Sequence, residues 1–197
     1  MVLGSLVTAM SLASGVLLLL APGPVTPFTA VTLQSIDRGP SGGQDRLFEL
    51  SNPEHDWQTI VIHDSGLQSG SARQLDRLHH QQGRGGLGYH FVINNGQGES
   101  DGLIEMGFRW QQQFAGAYVE GPNAEWFNRH GIGICLVGDV DERRPSQAQL
   151  RELAWLVRQL QQAYQIPRGA VHVNVGSRPD AFPEAWFRQQ LLDIPAP

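Results

Sequence analysis

From Trp57 onward, short β-branched apolar runs alternate with stretches of helical period, and each run ends on polar or glycine-rich punctuation. Ile60-Val-Ile62 predicts a buried strand that ends on His63, with Asp64, Ser65 and Gly66 supplying the turn. Ser71 and Gln74 have capping-box spacing, and Leu75, Leu78 and His79 share one face of the short helix that follows. Gly88-Tyr-His-Phe-Val-Ile93 predicts a second strand, closed by the turn Asn94-Asn-Gly96, with 102–108 as its hairpin partner. A glycine-rich polar loop then carries Tyr118 and Asn123 through to Asn128, ahead of a buried strand over 131–140. Ser146 and Gln149 mark a second capping box. Behind them Leu150, Leu153, Ala154, Val157, Leu160 and Tyr164 form one apolar stripe, which predicts a core-facing helix. Ala170-Val-His-Val-Asn174 predicts a short strand carrying His172, and a last helix is expected over 183–192. Strands alternating with helices, plus one hairpin, predict an α/β fold with a central mixed β-sheet flanked by helices.

The region before this 57–192 domain has a different character. Residues 22–56 contain Pro22, Pro24, Pro27 and the run Arg38-Gly-Pro-Ser-Gly-Gly-Gln44, and read as a linker. Residues 1–21 are nearly all apolar or small and end in Leu17-Leu-Leu-Leu20, long enough for a signal sequence or membrane anchor. No Lys or Arg precedes that run, so the usual basic flank is missing. The expected location is exported, periplasmic or membrane-anchored, with the N-terminal segment as the tether.

Composition narrows the chemistry. Of 197 residues, 41% are hydrophobic and 17% charged, which suits one globular domain. The net charge of -5 argues against a nucleic-acid partner, and a monomer is expected. Every basic residue is Arg, so no lysine amine is available as a nucleophile. Cys135 is the single cysteine; it excludes an intrachain disulfide and lies in an apolar run, where a buried, inert thiol is expected.

His63 and His172 both lie in short β-branched stretches that precede polar turns. Taken singly, each reads as a structural histidine. Two imidazoles meeting at one sheet edge also suit zinc, which takes three protein ligands and leaves one position open. No HExxH or CxxC spacing marks such a site. Glu105 reads as a general base or an ordinary strand carboxylate, and Asp64 as an orienting partner of His63 or a turn residue. His90 alternates with Tyr89 and so faces the other side of its strand, in a structural role. His79 and His80 read as packing or solvated. Trp110, Trp126 and Asn128 are candidates for a groove lining or for packing.

The runs Ile60-Val-Ile-His63, Gly88-Tyr-His-Phe-Val-Ile93, Gly131-Ile-Gly-Ile-Cys-Leu-Val-Gly138 and Pro145-Ser-Gln-Ala-Gln-Leu150 occur in the order seen in one family. In them the chain resembles the type 2 N-acetylmuramoyl-L-alanine amidases, which share their fold with peptidoglycan recognition proteins. The resemblance spans about Trp57 to Leu192. It implies Zn2+ held by His63, His172 and a third ligand, a Cys or Asp usually followed by Pro. Eight residues beyond His172 stands Asp180, whereas alignment on Phe182-Pro183 puts Phe182 or Ser177 in that place. It also implies that Tyr89 assists catalysis, and that the bond cleaved joins N-acetylmuramic acid to L-alanine in peptidoglycan. There the metal would lower the pKa of its water and polarise the amide carbonyl.

The chain departs from the family pattern at several positions. The usual Gly-Ala-His triplet reads Gly116-Ala-Tyr118, the usual Gly-His pair reads Val171-His172, and the second residue of the usual His-His pair is Asp64. Each change removes a group that would move protons or bind substrate. These losses suggest the alternative: a non-catalytic peptidoglycan- or muropeptide-binding module of the same fold.

Overall fold

Ile60, Ile62, Ile132, Ile134 and Leu136 all point to one side of two adjacent strands, and the architecture follows from covering them. The computed structural model describes residues 34–36, 47, 48, 50, 52 and 55–195. Within them, β1 (Gln34–Ile36), β2 (Thr59–Asp64), β3 (Phe91–Ile93), β4 (Ile104–Met106), β5 (Gly131–Leu136) and β6 (Val171–Asn174) form one sheet in the order β1-β4-β3-β5-β2-β6. β4 runs antiparallel to β1 and β3, while β3, β5, β2 and β6 are mutually parallel, which makes the sheet mixed as expected. The helices are α1 (Ala72–Gln81), α2 (Phe108–Gln111), α3 (Ala124–His130), α4 (Gln147–Tyr164) and α5 (Glu184–Gln190).

The two sheet faces differ in chemistry. One carries Ile60, Ile62, Phe91, Ile93, Ile104, Met106, Ile132, Ile134 and Leu136, all in a core shared with Leu150, Leu153, Val157 and Leu160 of α4. At roughly 1.5–3 kcal/mol per fully buried large apolar side chain, this layer dominates the stability. The capping box that starts α4 is formed in full: Gln149 N–H donates to Ser146 Oγ, and Ser146 N–H to Gln149 Oε1. The opposite face carries Thr59, Val61 and His63 on β2, Gly131, Gly133 and Cys135 on β5, and His172 and Asn174 on β6.

Two expectations change. The polar loop before Asn128 contains the short helices α2 and α3, whose few residues gave too little period to read. The expected linker over 22–56 contributes β1 to the sheet edge, and Leu47 to the core, where its carbonyl accepts from Trp110 Nε1. The expected leader, 1–21, lies outside the described residues. No helix among the described residues is long and apolar enough to cross a membrane.

Candidate active site

His63 lies at the C-terminal end of β2, on the polar face, flanked by β5 and β6. Parallel strands with β-branched cores place their carboxyl ends at a common edge, where α/β folds open their ligand crevices. A cavity of about 250 Å³ adjoins this edge, lined among others by Gln68, Asn95, Gln97, Gly138 and Arg143. Ser65 Oγ ties the turn after β2 to it, accepting from Gly138 N–H at 3.0 Å. Asp64 is the turn's second brace: its carboxylate accepts from Gly176 N–H at 3.2 Å and from Val140 N–H at 3.5 Å.

The His63 ring lies among aromatic rings, with Tyr89 at 6.0 Å and Tyr118 edge-on at 5.7 Å. Burial lowers the His63 pKa, and the Asp64 charge opposes that only in part. Its Nε2 is buried and has no hydrogen-bond partner among the described residues, while Nδ1 lies 3.4 Å from the Asn174 amide nitrogen. Tyr89 is buried, stacked on Tyr118 at 5.8 Å, and neighbours the Cys135 thiol. Burial first, and then the Cys135 neighbour, push its phenol upward, so Tyr89 stays protonated at any physiological pH. The Cys135 thiol is likewise pushed up by burial, consistent with the inert sulfur expected from its apolar run.

Tyr118 takes the space above β5. Its hydroxyl donates to the Phe127 carbonyl, and its backbone N–H to Asn128 Oδ1. A Cβ on Gly133 would lie 2.4 Å from the Tyr118 ring, and one on Gly131 would lie 2.5 Å from its hydroxyl. The Gly-Ile-Gly of β5 is therefore the imprint of this tyrosine, a link that the strand pattern alone does not show.

The expected zinc ligands are not brought together. His172 pairs in register with Val61 rather than with His63, and its ring packs edge-on against Phe127 at 5.5 Å. The Asp180 carboxylate is exposed and ion-paired with Arg144 at 3.1 Å and Arg178 at 3.6 Å, which holds its pKa below the ordinary carboxylate value. Among the described residues, no three His, Cys, Asp or Glu side chains are grouped to hold a metal ion. A tetrahedral zinc needs three protein donors, so this donor set does not fit one. Of the other two candidates, Phe182 is a buried core residue packed on Phe187, and Ser177 donates from Oγ to the Asp141 carboxylate at 2.7 Å.

The remaining candidates resolve into structural roles. Glu105 is a buried brace that accepts from Ala72 N–H at the start of α1 and from Asn94 Nδ2. His90 is fully buried; its Nδ1 accepts from Gly133 N–H, and its Nε2 lies 3.0 Å from the Phe114 carbonyl. His79 Nδ1 accepts from Gly88 N–H, whereas His80 is exposed. Trp110 is core, Asn128 holds the Tyr118 loop, and Trp126 is 45% exposed beside His130. Asn174 is the site residue that sequence reasoning missed. Its signal was available: it stands two residues from His172 on the same strand face.

Residues 53–181 match the family model of N-acetylmuramoyl-L-alanine amidase. The chain belongs to this amidase family. Two similar proteins are the endolysin of Enterobacteria phage T3, 31% identical over 94 residues, and that of Escherichia phage T7, 32% identical over 87. Those alignments take in 46% and 43% of this chain, and 54% and 50% of the phage proteins, so the chain spans about half the length of these relatives. The fold is also that of the N-acetylmuramoyl-L-alanine amidase LysC from Clostridium intestinale URNW. That match has a TM-score of 0.53 at 24% identity and covers 69% of this chain and 85% of LysC.

Proposed function

We propose that this chain recognises peptidoglycan, or a muropeptide released from it, at the junction between N-acetylmuramic acid and L-alanine, and holds that amide without cleaving it. Family membership supports the choice of ligand. The single observation that carries the non-hydrolytic part is the donor set at His63: Asn174 beside its ring, and Asp180 tied to two arginines. The polar face around His63 supplies hydrogen-bonding groups for an amide backbone, with Tyr89 and Tyr118 walling the imidazole. A cell-wall ligand suits an exported protein, with residues 1–21 as its export or tethering segment.

Hydrolysis through zinc is the second reading. It is favoured by the buried Nε2 of His63, which has no partner among the described residues, as a metal-binding nitrogen would without its ion. Calorimetry with N-acetylmuramoyl-L-alanyl-D-isoglutamine, paired with mass spectrometry of the incubated ligand, separates the two. Recognition predicts binding that His63→Ala weakens about tenfold or more, a loss of about 1.4 kcal/mol, with intact ligand at every zinc concentration. Zinc-stimulated release of the peptide, abolished by a chelator, would establish hydrolysis instead.

A further inference from the structure

We infer that Asn174 stands in the place of a second metal-binding side chain beside His63, and that this exchange makes His63 a neutral hydrogen-bond donor instead of a zinc ligand. The inference deepens the recognition reading above and rests on it for the identity of the acceptor, but its metal chemistry can be tested without any ligand.

Register carries the first part. Residues 61 and 63 of β2 and 172 and 174 of β6 share the polar face, and the direct partner of His63 is Asn174. His172 lies two residues back, roughly 6–7 Å along the strand, with its ring committed to Phe127. Distance carries the second part. Two nitrogens bound at about 2.0–2.1 Å to one tetrahedral zinc stand about 3.3–3.4 Å apart. His63 Nδ1 and Asn174 Nδ2 are 3.4 Å apart. Position 174 thus has ligand spacing, but a carboxamide nitrogen has a delocalised lone pair and donates hydrogen bonds instead of binding metal. A carboxamide oxygen, presented by the other amide orientation, is a hard neutral donor better suited to Ca2+ or Mg2+. Spacing along the chain agrees: Phe182, just before Pro183, lies eight residues from Asn174 (182 − 174), as Asp180 does from His172 (180 − 172).

With the Asn174 amide donating, Nδ1 is the acceptor and the ring proton sits on Nε2. That proton is a buried donor without a partner among the described residues, and an unmet buried donor is costly. A ligand carbonyl relieves that cost. The acceptor class is therefore an amide or carboxylate oxygen, and an amide is what the proposed junction offers.

The test is competition for zinc against a chromophoric chelator, using the purified full chain. Wild type should bind no stoichiometric zinc. Asn174→His and the nearly isosteric Asn174→Asp should each bind zinc at least about tenfold tighter than wild type. That gain should vanish when His63→Ala is added and persist when His172→Ala is added. The Asp variant keeps the test decisive if the bulkier His variant fails to fold. A wild type that holds about one zinc per chain and loses it on His63→Ala or His172→Ala would overturn the inference. So would folded Asn174 variants without the gain, or with a gain that survives His63→Ala. Long-range 1H–15N spectra of wild type should show His63 protonated on Nε2; protonation on Nδ1 counts against the proposal. Failure to bind muropeptide would sink the recognition reading while leaving these metal outcomes unchanged.

Discussion

Gly133 exists for Tyr118, and that is a claim about a single missing carbon. Its backbone is extended, so the requirement is space and not backbone conformation. Gly133→Ala should destabilise the fold by about 1–3 kcal/mol, the usual cost of overpacking. Combined with Tyr118→Ala it should cost less than the sum of the two single changes, because they share one contact; urea denaturation of the four proteins measures the coupling. Histidines give a second residue-scale expectation. Burial lowers the pKa of His90 to about 3 and that of His79 to about 4, so both are neutral in the fold. Unfolded histidines titrate near 6.5. Below that pH the unfolded chain binds more protons than the native one, and stability falls with acidification from about pH 6.5 down through 4 and 3. Urea midpoints should drop between pH 7 and pH 5, a window above the ordinary carboxylate range, and a His79→Gln, His90→Gln protein should drop less.

Gln149 shows how one polar side chain can join elements. Its Oε1 closes the capping box of α4, while its Nε2 donates to the carbonyls of Ile93, the last residue of β3, and Val137, the residue after β5. Ser146→Ala removes one cap and should cost about 1 kcal/mol. Gln149→Leu roughly keeps the volume but removes the acceptor of Ser146 N–H and the donor to the Val137 carbonyl, and should cost more, about 2–3 kcal/mol; thermal melts of both variants rank the two effects. The Ser-x-x-Gln pattern and the apolar stripe behind it made α4 legible in the sequence. The second role of Gln149 was not, because it depends on strands 12 and 56 residues away along the chain. Helices α2 and α3, with 4 and 7 residues, owe their shape to contacts and caps more than to period, which is why they read as loop.

At the scale of the whole molecule, the apolar layer between α4 and the sheet holds the fold, and no part of that layer uses a metal. Chelator should therefore leave the melting temperature within about 1 °C of its starting value, in contrast to domains whose folding energy comes from bound metal; calorimetry with and without EDTA tests this. The sequence by itself determined the mixed α/β architecture, the inward apolar face, the capped central helix and the family. It could do so because those features are written in local periodicity and ordered motifs. Tertiary structure alone decided which side chain stands next to His63. Strand register places Asn174 there and His172 beside Val61, and the fold of the 176–180 loop gives Asp180 to Arg144 and Arg178. Register is set between strands 111 residues apart and the Asp180 ion pair to Arg144 spans 36, so a count along the chain could name the donors but could not bring them together.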